Sequence, residues 1–346
     1  MKRSIDAREK ISFALALLKT YAVRLSAVVA VTLWLTSYVP TFQTRAQDSY
    51  TGQWIIEQVR GTSSLQLTLT YSAEKSGSKW GRGSSLTSFG IAPEQLRGLT
   101  QAQMMAAGSN VQFQLVRDAG TFNCEGWFKQ GKGSGHFVFA SNAAFVSELR
   151  KRNYESPTEA QLFSMAMNDV GVAFIEELRA QGYERPTLDQ LVRMGDHGVS
   201  LEYLRELKAQ GYSVQSVELV TRMVDHGVSI SFIKEMDGLG YKQLPVEMLI
   251  RTVDHGVTPD FIKELETLGH KSLPLEQLTR LVDHGVGPRF IKEIEEAGYG
   301  RPSLEQLVRM QDHGVNARFI KKVKSRGFDN LSIEELIKLA DHGMGN

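Results

Sequence analysis

Cysteine is nearly absent from this chain of 346 residues, and neither sign of charge dominates it. The single cysteine, Cys124, excludes a disulfide bond within the chain. Seven of the 40 basic and two of the 39 acidic residues fall in residues 1–46, which leaves 33 basic and 37 acidic residues, a net charge of −4. The charges nearly balance, and the sequence has no block of basic residues. Both observations argue against nucleic acid as a partner.

Motifs of common enzyme classes are also missing. The sequence has no HExxH zinc string, no GxSxG elbow and no phosphate-binding P-loop. The glycine-rich stretch 131–135 lacks the spacing and the following helix of a P-loop, so it is predicted to be a flexible hairpin tip. We therefore predict no catalytic, cofactor-binding or metal-binding residues, and an enzyme in the N-terminal part is the least favoured alternative.

Cys124 alternates with Phe122 and Phe128 along a predicted strand, so a buried small hydrophobic side chain is expected there. The alternative is a nucleophile, which needs a base within reach. His136 is the only nearby candidate for that base.

The sequence has one long hydrophobic run, Leu25–Val39. A basic segment precedes it, and a site with the small residue Ala46 follows it, as in a secretory signal. The run is shorter than the roughly 20 residues of a typical membrane-spanning helix. Residues 1–46 are thus predicted to be a signal peptide that directs the chain to the periplasm or the extracellular space. An uncleaved anchor through residues 25–39 is the alternative.

Residues 47–140 have the alternation and the turn residues of a small antiparallel β domain. A Gly- and Ser-rich segment, Lys75–Gly90, is predicted to be an exposed loop, and Ala92–Ala107 a short helix or two turns. Asp118–Gly120 is predicted to form a hairpin turn. The predicted strands are Gln53–Val59, Leu65–Tyr71, Val111–Arg117, Thr121–Phe128 and Gly135–Ala140.

The remainder of the chain repeats every 29 residues. Asp-His-Gly-Val begins at Asp196, Asp225, Asp254, Asp283 and Asp312, and Asp-His-Gly-Met begins at Asp341. Most units also carry a Gly-aromatic pair at the same step, as in Gly298-Tyr299. A fixed period of this length is typical of a solenoid, in which each unit packs on its neighbours.

Each unit is predicted to form two short helices. Leu275, Leu278 and Leu281 are spaced as the apolar face of a first helix, helix A, and Gly285 is predicted to end it in a left-handed conformation. Pro288 is suited to the first position of a second helix, helix B. The predicted fold is thus α+β, a small antiparallel β domain followed by an αα-hairpin solenoid over residues 141–346, which opens with a half repeat at 141–154.

The recurring histidine is interpreted as a structural cap that donates to the last carbonyls of helix A. A shared metal site is disfavoured, because equivalent side chains of stacked helices lie roughly 10 Å apart. The recurring arginine, as in Arg280, lies three residues before each aspartate, so an ion pair within the helix is expected. The alternative is that the recurring arginines form a row that binds an acidic partner. The predicted caps are His197, Gly198, His226, Gly227, His255, Gly256, His284, Gly285, His313, Gly314, His342 and Gly343.

Positions that differ between units are candidates for a binding surface, because solenoids bind partners through such positions. Near the starts of helix B they run from acidic to basic, and a plain solvated face is the alternative. The candidate interaction positions are Glu202, Ser231, Asp260, Arg289 and Arg318. We therefore expect a non-catalytic scaffold that binds a protein partner. A regulatory or sensor module whose β domain binds a ligand is the second hypothesis.

The unit pattern in residues 249–270 and 278–299 resembles tandem repeats of uncharacterised exported bacterial proteins. It is also similar to repeats appended to some membrane-embedded zinc metallopeptidases of the β-lactam-sensing type. The stretches Phe122–Phe128 and Gly135–Phe137 resemble the domain that precedes such repeats. The resemblance implies an envelope location and association with such systems, but no catalytic role, because the peptidase zinc motif is absent here.

Overall fold

A computed structural model of the protein describes residues 50–59, 61–62, 64–73 and 83–343. The predicted signal peptide lies outside these residues. Seven antiparallel strands form one curled sheet, and a run of short α-helices follows it, so the α+β class is confirmed. The strands are β1 Thr51–Gln58, β2 Leu65–Ala73, β3 Gly83–Ile91, β4 Leu96–Arg97, β5 Ser109–Arg117, β6 Gly120–Lys129 and β7 Lys132–Ser141.

The sheet has the order β3-β2-β1-β7-β6-β5-β4, so the first strand pairs with the last. A short helix, α1 (Gln101–Met105), lies between β4 and β5. Two-residue turns join β5 to β6 and β6 to β7, and the first of these contains the predicted turn residues 118–119. In the second turn, Gln130 and Gly131 have positive φ angles of 51° and 83°, as two-residue hairpin turns with a right-handed strand twist require.

Two loop predictions in this part are wrong. Residues 83–90 of the predicted exposed loop belong to β3, which pairs with β2 along its length, while residues 74–82 lie outside the described residues. The predicted hairpin tip at 131–135 is also largely strand, because β7 begins at Lys132. Gly133 lies against the ring of Phe128, and Gly135 lies opposite Gly126, so close packing explains these glycines.

One face of the sheet is apolar because alternate residues of each strand point the same way. Trp54 is fully buried on this face, and its ring packs on the Gly126–Gly135 pair. Its indole N–H lies 3.1 Å from the carbonyl oxygens of Glu125 and His136, so it satisfies both buried carbonyls.

The helices after the sheet are mostly nine residues long. They are α2 Ala143–Lys151, α3 Glu159–Met167, α4 Val172–Ala180, α5 Leu188–Asp196, α6 Leu201–Ala209, α7 Val217–Asp225, α8 Ile230–Gly238, α9 Val246–Asp254, α10 Pro259–Thr267, α11 Leu275–Asp283, α12 Pro288–Ile294, α13 Leu304–Asp312, α14 Ala317–Ser325 and α15 Ile333–Asp341. Helix α12 continues into a π-helical segment, Glu295–Tyr299. Helices of the same kind, A or B, contact their second neighbours along the chain, as α3 with α5 and α4 with α6 do.

Local signals set the ends of these helices. Ser303 and Gln306, whose spacing in the sequence predicts a capping box, form one at the start of α13. At the end of α11, Gly285 has a φ of 69°, and the N–H of Val286 donates to the carbonyl of Leu281 over 2.8 Å. This is the hydrogen-bond pattern of the predicted Schellman stop.

The sheet and the first helices share one apolar core. Helix α2 begins directly after β7, as predicted, and α3 inserts the buried ring of Phe163 among aromatic residues of the sheet. That ring stacks on Tyr50 at a centroid distance of 4.3 Å, and it contacts Tyr71 at 4.8 Å and Phe139 at 5.2 Å. The sequence boundary at 140/141 therefore matches the end of β7 to within a residue, but the core continues across it.

Polar contacts also connect the sheet with the first helices. The turn between β5 and β6 reaches the loop before α4, where Arg117 pairs with Asp169 over 2.9 Å. The Asp118 carboxylate accepts the N–H of Val172 over 2.8 Å, at the first turn of α4. Asp169 occupies the repeat position that is glycine in the later units, so the altered first copy is explained by its contact with the sheet.

Candidate functional site

The recurring histidines form a row of hydrogen bonds between successive units. The Nδ1 atom of His284 lies 2.6 Å from Oδ1 of Asp312, which is 28 residues further along the chain. Four other histidines make the same contact at 2.5–2.7 Å, namely His197 with Asp225, His226 with Asp254, His255 with Asp283 and His313 with Asp341. We call this row the His–Asp ladder. It joins each helix A end to the next.

The two ends of the His–Asp ladder differ from its middle. In the altered first copy, Asn168 stands in place of histidine, and its amide donates to Asp196 over 2.7 Å. The last histidine, His342, instead contacts the carbonyl oxygen of Lys338 over 2.7 Å. The predicted contact of histidine with helix carbonyls is therefore wrong for the five inner histidines, since the neighbouring aspartate competes for Nδ1. Of the six recurring histidines, all of which the structure describes, His342 alone contacts a helix carbonyl through its side chain.

The recurring arginines also act between units. Arg280 pairs with Glu305 over 2.6 Å, Arg309 pairs with Glu334 over 2.5 Å, and Arg222 pairs with Glu247 in the same way. Each glutamate lies in the first turn of the next helix A, 25 residues on. The predicted pair within the helix is wrong for these three arginines, because a glutamate of the next unit lies within reach.

Helix B has its own row of ion pairs with the same step. Lys234 pairs with Glu206 over 2.6 Å, and Lys263 pairs with Glu235 over 3.1 Å. Each pair spans 28 residues. Ionic and hydrogen-bonding groups on both helices are thus used mainly for contacts between neighbouring units.

The histidines do not come together as a metal site. Among the residues described, no group of three or more His, Cys, Asp or Glu side chains is placed to hold a metal ion. Each inner histidine instead has one aspartate partner, and the cap glycines beside them adopt the predicted left-handed conformation, with φ between 69° and 85°.

The five candidate interaction positions are all exposed at the starts of their helices. Asp260 accepts a hydrogen bond from Lys263 within its own helix, and Arg289 pairs with Glu293 four residues on. Glu202 and Arg318 have no ion pair with any described residue. Asp260 thus shares Lys263 with the ion pair to Glu235, whereas the other four positions take no part in the contacts between units described above.

Cys124 and His136 lie on opposite faces of the sheet. Cys124 is buried, and this burial raises the pKa of its thiol to about 12. His136 pairs in register with Glu125 on the exposed face, whereas Cys124 lies opposite Phe137. The geometry therefore supports the buried hydrophobic interpretation of Cys124.

Sequence inspection missed the exposed face of the sheet as a binding candidate. Trp127 is 50% exposed there, and Ile55 is 48% exposed in the same cross-strand row. Beside them, Gln112, Glu125 and His136 line a shallow depression. The signal was the alternation itself, which places Trp127 on the face opposite Phe122 and Phe128.

No family model matches this chain, and no curated protein or solved structure matches it either. The resemblance to repeats of exported proteins thus stays a hypothesis. Within the part of the chain that the structure describes, every helix is too short or too polar to cross a membrane.

Truncating one rung tests the structural interpretation of the ladder. We expect His284→Ala to lower the free energy of unfolding by about 1 kcal/mol, because it removes one partly exposed hydrogen bond. A double-mutant cycle with Asp312→Ala should give a coupling energy of about 0.5–1 kcal/mol. Urea unfolding measures both quantities.

The matched control for this cycle pairs His284→Ala with Asp254→Ala, the aspartate that contacts His226 instead. That pair should be additive within about 0.3–0.5 kcal/mol. Equal coupling to both aspartates would contradict the pairwise ladder. Zinc bound in stoichiometric amount and lost with His284→Ala would show a metal role instead.

Acid should weaken the contacts between units on helix B. The Gln181 amide and the Arg205 guanidinium bond to Glu177 and lower the pKa of its carboxyl below the ordinary value of 4.5. A lowered folded-state pKa stabilises the fold above pH 4.5, and the contribution is lost as the pH falls through that lowered pKa. Glu177→Gln should therefore give a shallower loss of stability on acidification.

The measurement is the free energy of unfolding by urea at several pH values between 6 and 3. Glu184→Gln is the control, since Glu184 is exposed and makes no ion pair with a described residue. An acid profile of Glu177→Gln that coincides with that of Glu184→Gln and of the unaltered chain would refute the linkage.

Proposed function

We propose that this chain is a non-catalytic binding scaffold of the bacterial envelope, exported by residues 1–46, which binds a protein partner through its helical repeats. In this proposal the helices stack as an αα-hairpin solenoid of 29-residue units. The hydrogen bonds and ion pairs that span 28 residues support such stacking, since each joins equivalent places of neighbouring units.

One observation carries the binding proposal. The ladder and its neighbouring ion pairs use the residues that recur, whereas the five varying positions at the helix B starts are exposed. These positions change from Glu202 to Arg318 along the chain, so an ordered partner meets acidic and basic groups at different places. Charge patterns of this kind select partners by complementarity.

Charge reversal at two of these positions tests the proposal. Residues 47–346 would carry Arg289→Glu and Arg318→Glu, and partners would be captured by cross-linking in the native envelope and identified by mass spectrometry. We expect a protein partner of the unaltered chain to be lost. The experiment keeps the chain intact, because Phe163 joins the helices to the sheet.

The matched control has the same charge change at Lys242→Glu and Lys271→Glu, two exposed lysines in loops after helix B. It should retain the partner. Loss of the partner in both variants, or in neither, would reject the helix B starts as the binding surface.

A second function is favoured by the exposed face of the sheet. Trp127 and Ile55 are half exposed there beside polar side chains, so this face offers both apolar and polar groups to a ligand. A regulatory or sensor module would bind a ligand or an envelope component on this face, and the resemblance to repeats of membrane metallopeptidases suggests where it would act.

The fluorescence of Trp127 distinguishes this second function from the first. Addition of solubilised envelope glycan to residues 47–346 should change the emission, and Trp127→Phe should abolish the change. An unchanged spectrum, together with partner loss in the Arg289 and Arg318 variant, would favour the helical scaffold.

A further inference from the structure

A cleft opens between the first two helix B segments, α2 and α4. It is about 440 Å³ in volume and lies at the C-terminal end of α2, where residues 151–154 face the side of α4 and the loop that follows α4. Ligand sites for small molecules usually measure about 300–1,000 Å³, so the cleft is large enough for one.

Basic groups outnumber acidic groups in the wall of the cleft. Four cations line it, Lys151, Arg152, Arg179 and Arg185, against the single carboxylate of Glu176. Such an excess attracts anions, and guanidinium groups suit carboxylates and phosphates because they donate two parallel hydrogen bonds.

The four cations are not equally engaged. Arg152 pairs with Glu148 at 2.7 Å and with Glu176 at 2.6 Å, and Lys151 pairs with Glu148 at 2.6 Å, so both of these cations form part of the wall. The side chain of Arg179 is exposed and makes no ion pair or hydrogen bond with a described residue. It is therefore the group best placed to take a ligand.

Arg185 is oriented for binding. Its guanidinium lies 5.7 Å above the ring centre of Tyr154, and one nitrogen donates to the carbonyl of Asn153 over 3.0 Å. These contacts fix the plane of the group and leave other N–H donors free to bind a ligand. The Tyr154 ring and Ile175 supply apolar surface in the same cleft.

The next groove along the chain is closed by glutamine side chains. There, Gln181 donates to the carbonyl of Leu204 over 3.1 Å, and Gln215 donates to the carbonyl of Gln181 over 3.2 Å. The residues 29 positions earlier are Arg152 and Pro186. The first groove is bridged by arginines instead, since Arg152 pairs with Glu176 over 2.6 Å and Arg185 donates to the carbonyl of Asn153 over 3.0 Å, so its polar groups are cationic.

Asn153 is a further difference of this groove. It has a φ of 62°, and the six later units have glycine at this place, as at Gly182 and Gly211. Glycine adopts this conformation at no steric cost, whereas asparagine only tolerates it. Asn153 thus stands in the lining of the first groove, where the later units have glycine.

We propose that this cleft is a binding site for a small anionic molecule, whose carboxylate or phosphate group is held by Arg179 and Arg185. The apolar part of the molecule rests on Tyr154 and Ile175. The site is distinct from the five helix B starts, so it can operate whether or not a protein partner binds there.

Titration calorimetry on residues 47–346 tests the proposal with four probes. Phenyl phosphate and benzoate carry the two anionic groups on the same ring, benzamide is the neutral control, and inorganic phosphate lacks the apolar part. We expect saturable binding of at least one aromatic anion, at least tenfold weaker binding of benzamide, and weaker binding of inorganic phosphate. The preferred aromatic anion identifies the group.

Two variants locate the site. Arg179→Gln should weaken binding of the preferred anion at least tenfold, and Lys208→Gln, the same position one unit later, should leave it unchanged. Both residues are exposed, so both variants should fold. Asn153→Gly suits the backbone and should reduce the affinity several-fold without loss of stability.

The proposal would be overturned by absence of saturable binding of both aromatic anions up to millimolar concentration. Equal binding of benzamide, or unchanged affinity in Arg179→Gln, would overturn it as well. Equal loss in Arg179→Gln and Lys208→Gln would also overturn it, because it would indicate general charge attraction.

Discussion

Replacement of Phe163 with alanine is expected to lower the free energy of unfolding by about 3–5 kcal/mol, the usual cost of emptying a buried phenylalanine site. The ring is buried and touches Tyr50 and aromatic residues of three strands, so no single neighbour can collapse into the space. Urea unfolding followed by circular dichroism measures the loss.

Phe163 also joins two parts of one core, so its removal should affect cooperativity. Tryptophan fluorescence reports on the sheet through Trp54 and Trp127, and far-ultraviolet dichroism reports mainly on the helices. We expect their midpoints to coincide in the unaltered chain and to separate in Phe163→Ala.

The control for Phe163 is Phe328→Ala, because Phe328 is 46% exposed. It should change the stability by no more than about 0.5 kcal/mol and keep the two midpoints together. A similar small change for Phe163→Ala would show that the sheet and the helices do not depend on this ring.

Gly135→Val is expected to have the second large effect, a loss of about 4 kcal/mol or more. A Cβ atom at Gly135 would lie 2.7 Å from the Cα atom of Gly126 on the next strand and would meet the carbonyl oxygen of Glu125. Backbone atoms cannot rotate away, so β6 and β7 would have to separate beneath the ring of Trp54.

Soluble yield and urea unfolding measure this effect, with Gly90→Val as the matched control. Gly90 also lies in a strand, but a Cβ atom there meets nothing within 4 Å. Valine favours strands, so the control should keep or slightly raise the stability. If Gly135→Val were as stable as Gly90→Val, the close approach of the two strands would be wrong.

The sequence predicted best what depends on neighbouring residues. Capping boxes, left-handed glycines and the apolar stripes of the helices act within one or two turns, and the structure confirms those at Ser303 and Gly285. Strand β3 was missed because it lies at the edge of the sheet, where the row of polar residues around Ser88 is exposed and bonds to Gln66 and Thr68.

The contacts between units could not be assigned from local spacing. Asp and His are adjacent in the sequence, yet each of the five inner histidines contacts an aspartate 28 residues away. Their shared period was the available signal, because two polar residues that recur together can satisfy each other across a repeat. The cleft between α2 and α4 had no such signal, since its residues lie in three separate segments and several of them, such as Arg152 and Asn153, differ from their counterparts in later units.

The step of the His–Asp ladder has a consequence for how this protein can change length. Each rung uses a donor from one unit and an acceptor from the next, so a duplication or deletion of a whole 29-residue unit restores the same pairing at the new junction. An insertion of one or two residues inside a helix would instead rotate the following residues of that helix relative to their partners in the neighbouring units. Gain or loss of whole units would thus lengthen or shorten the helical part and keep the ladder, while the sheet stays unaltered.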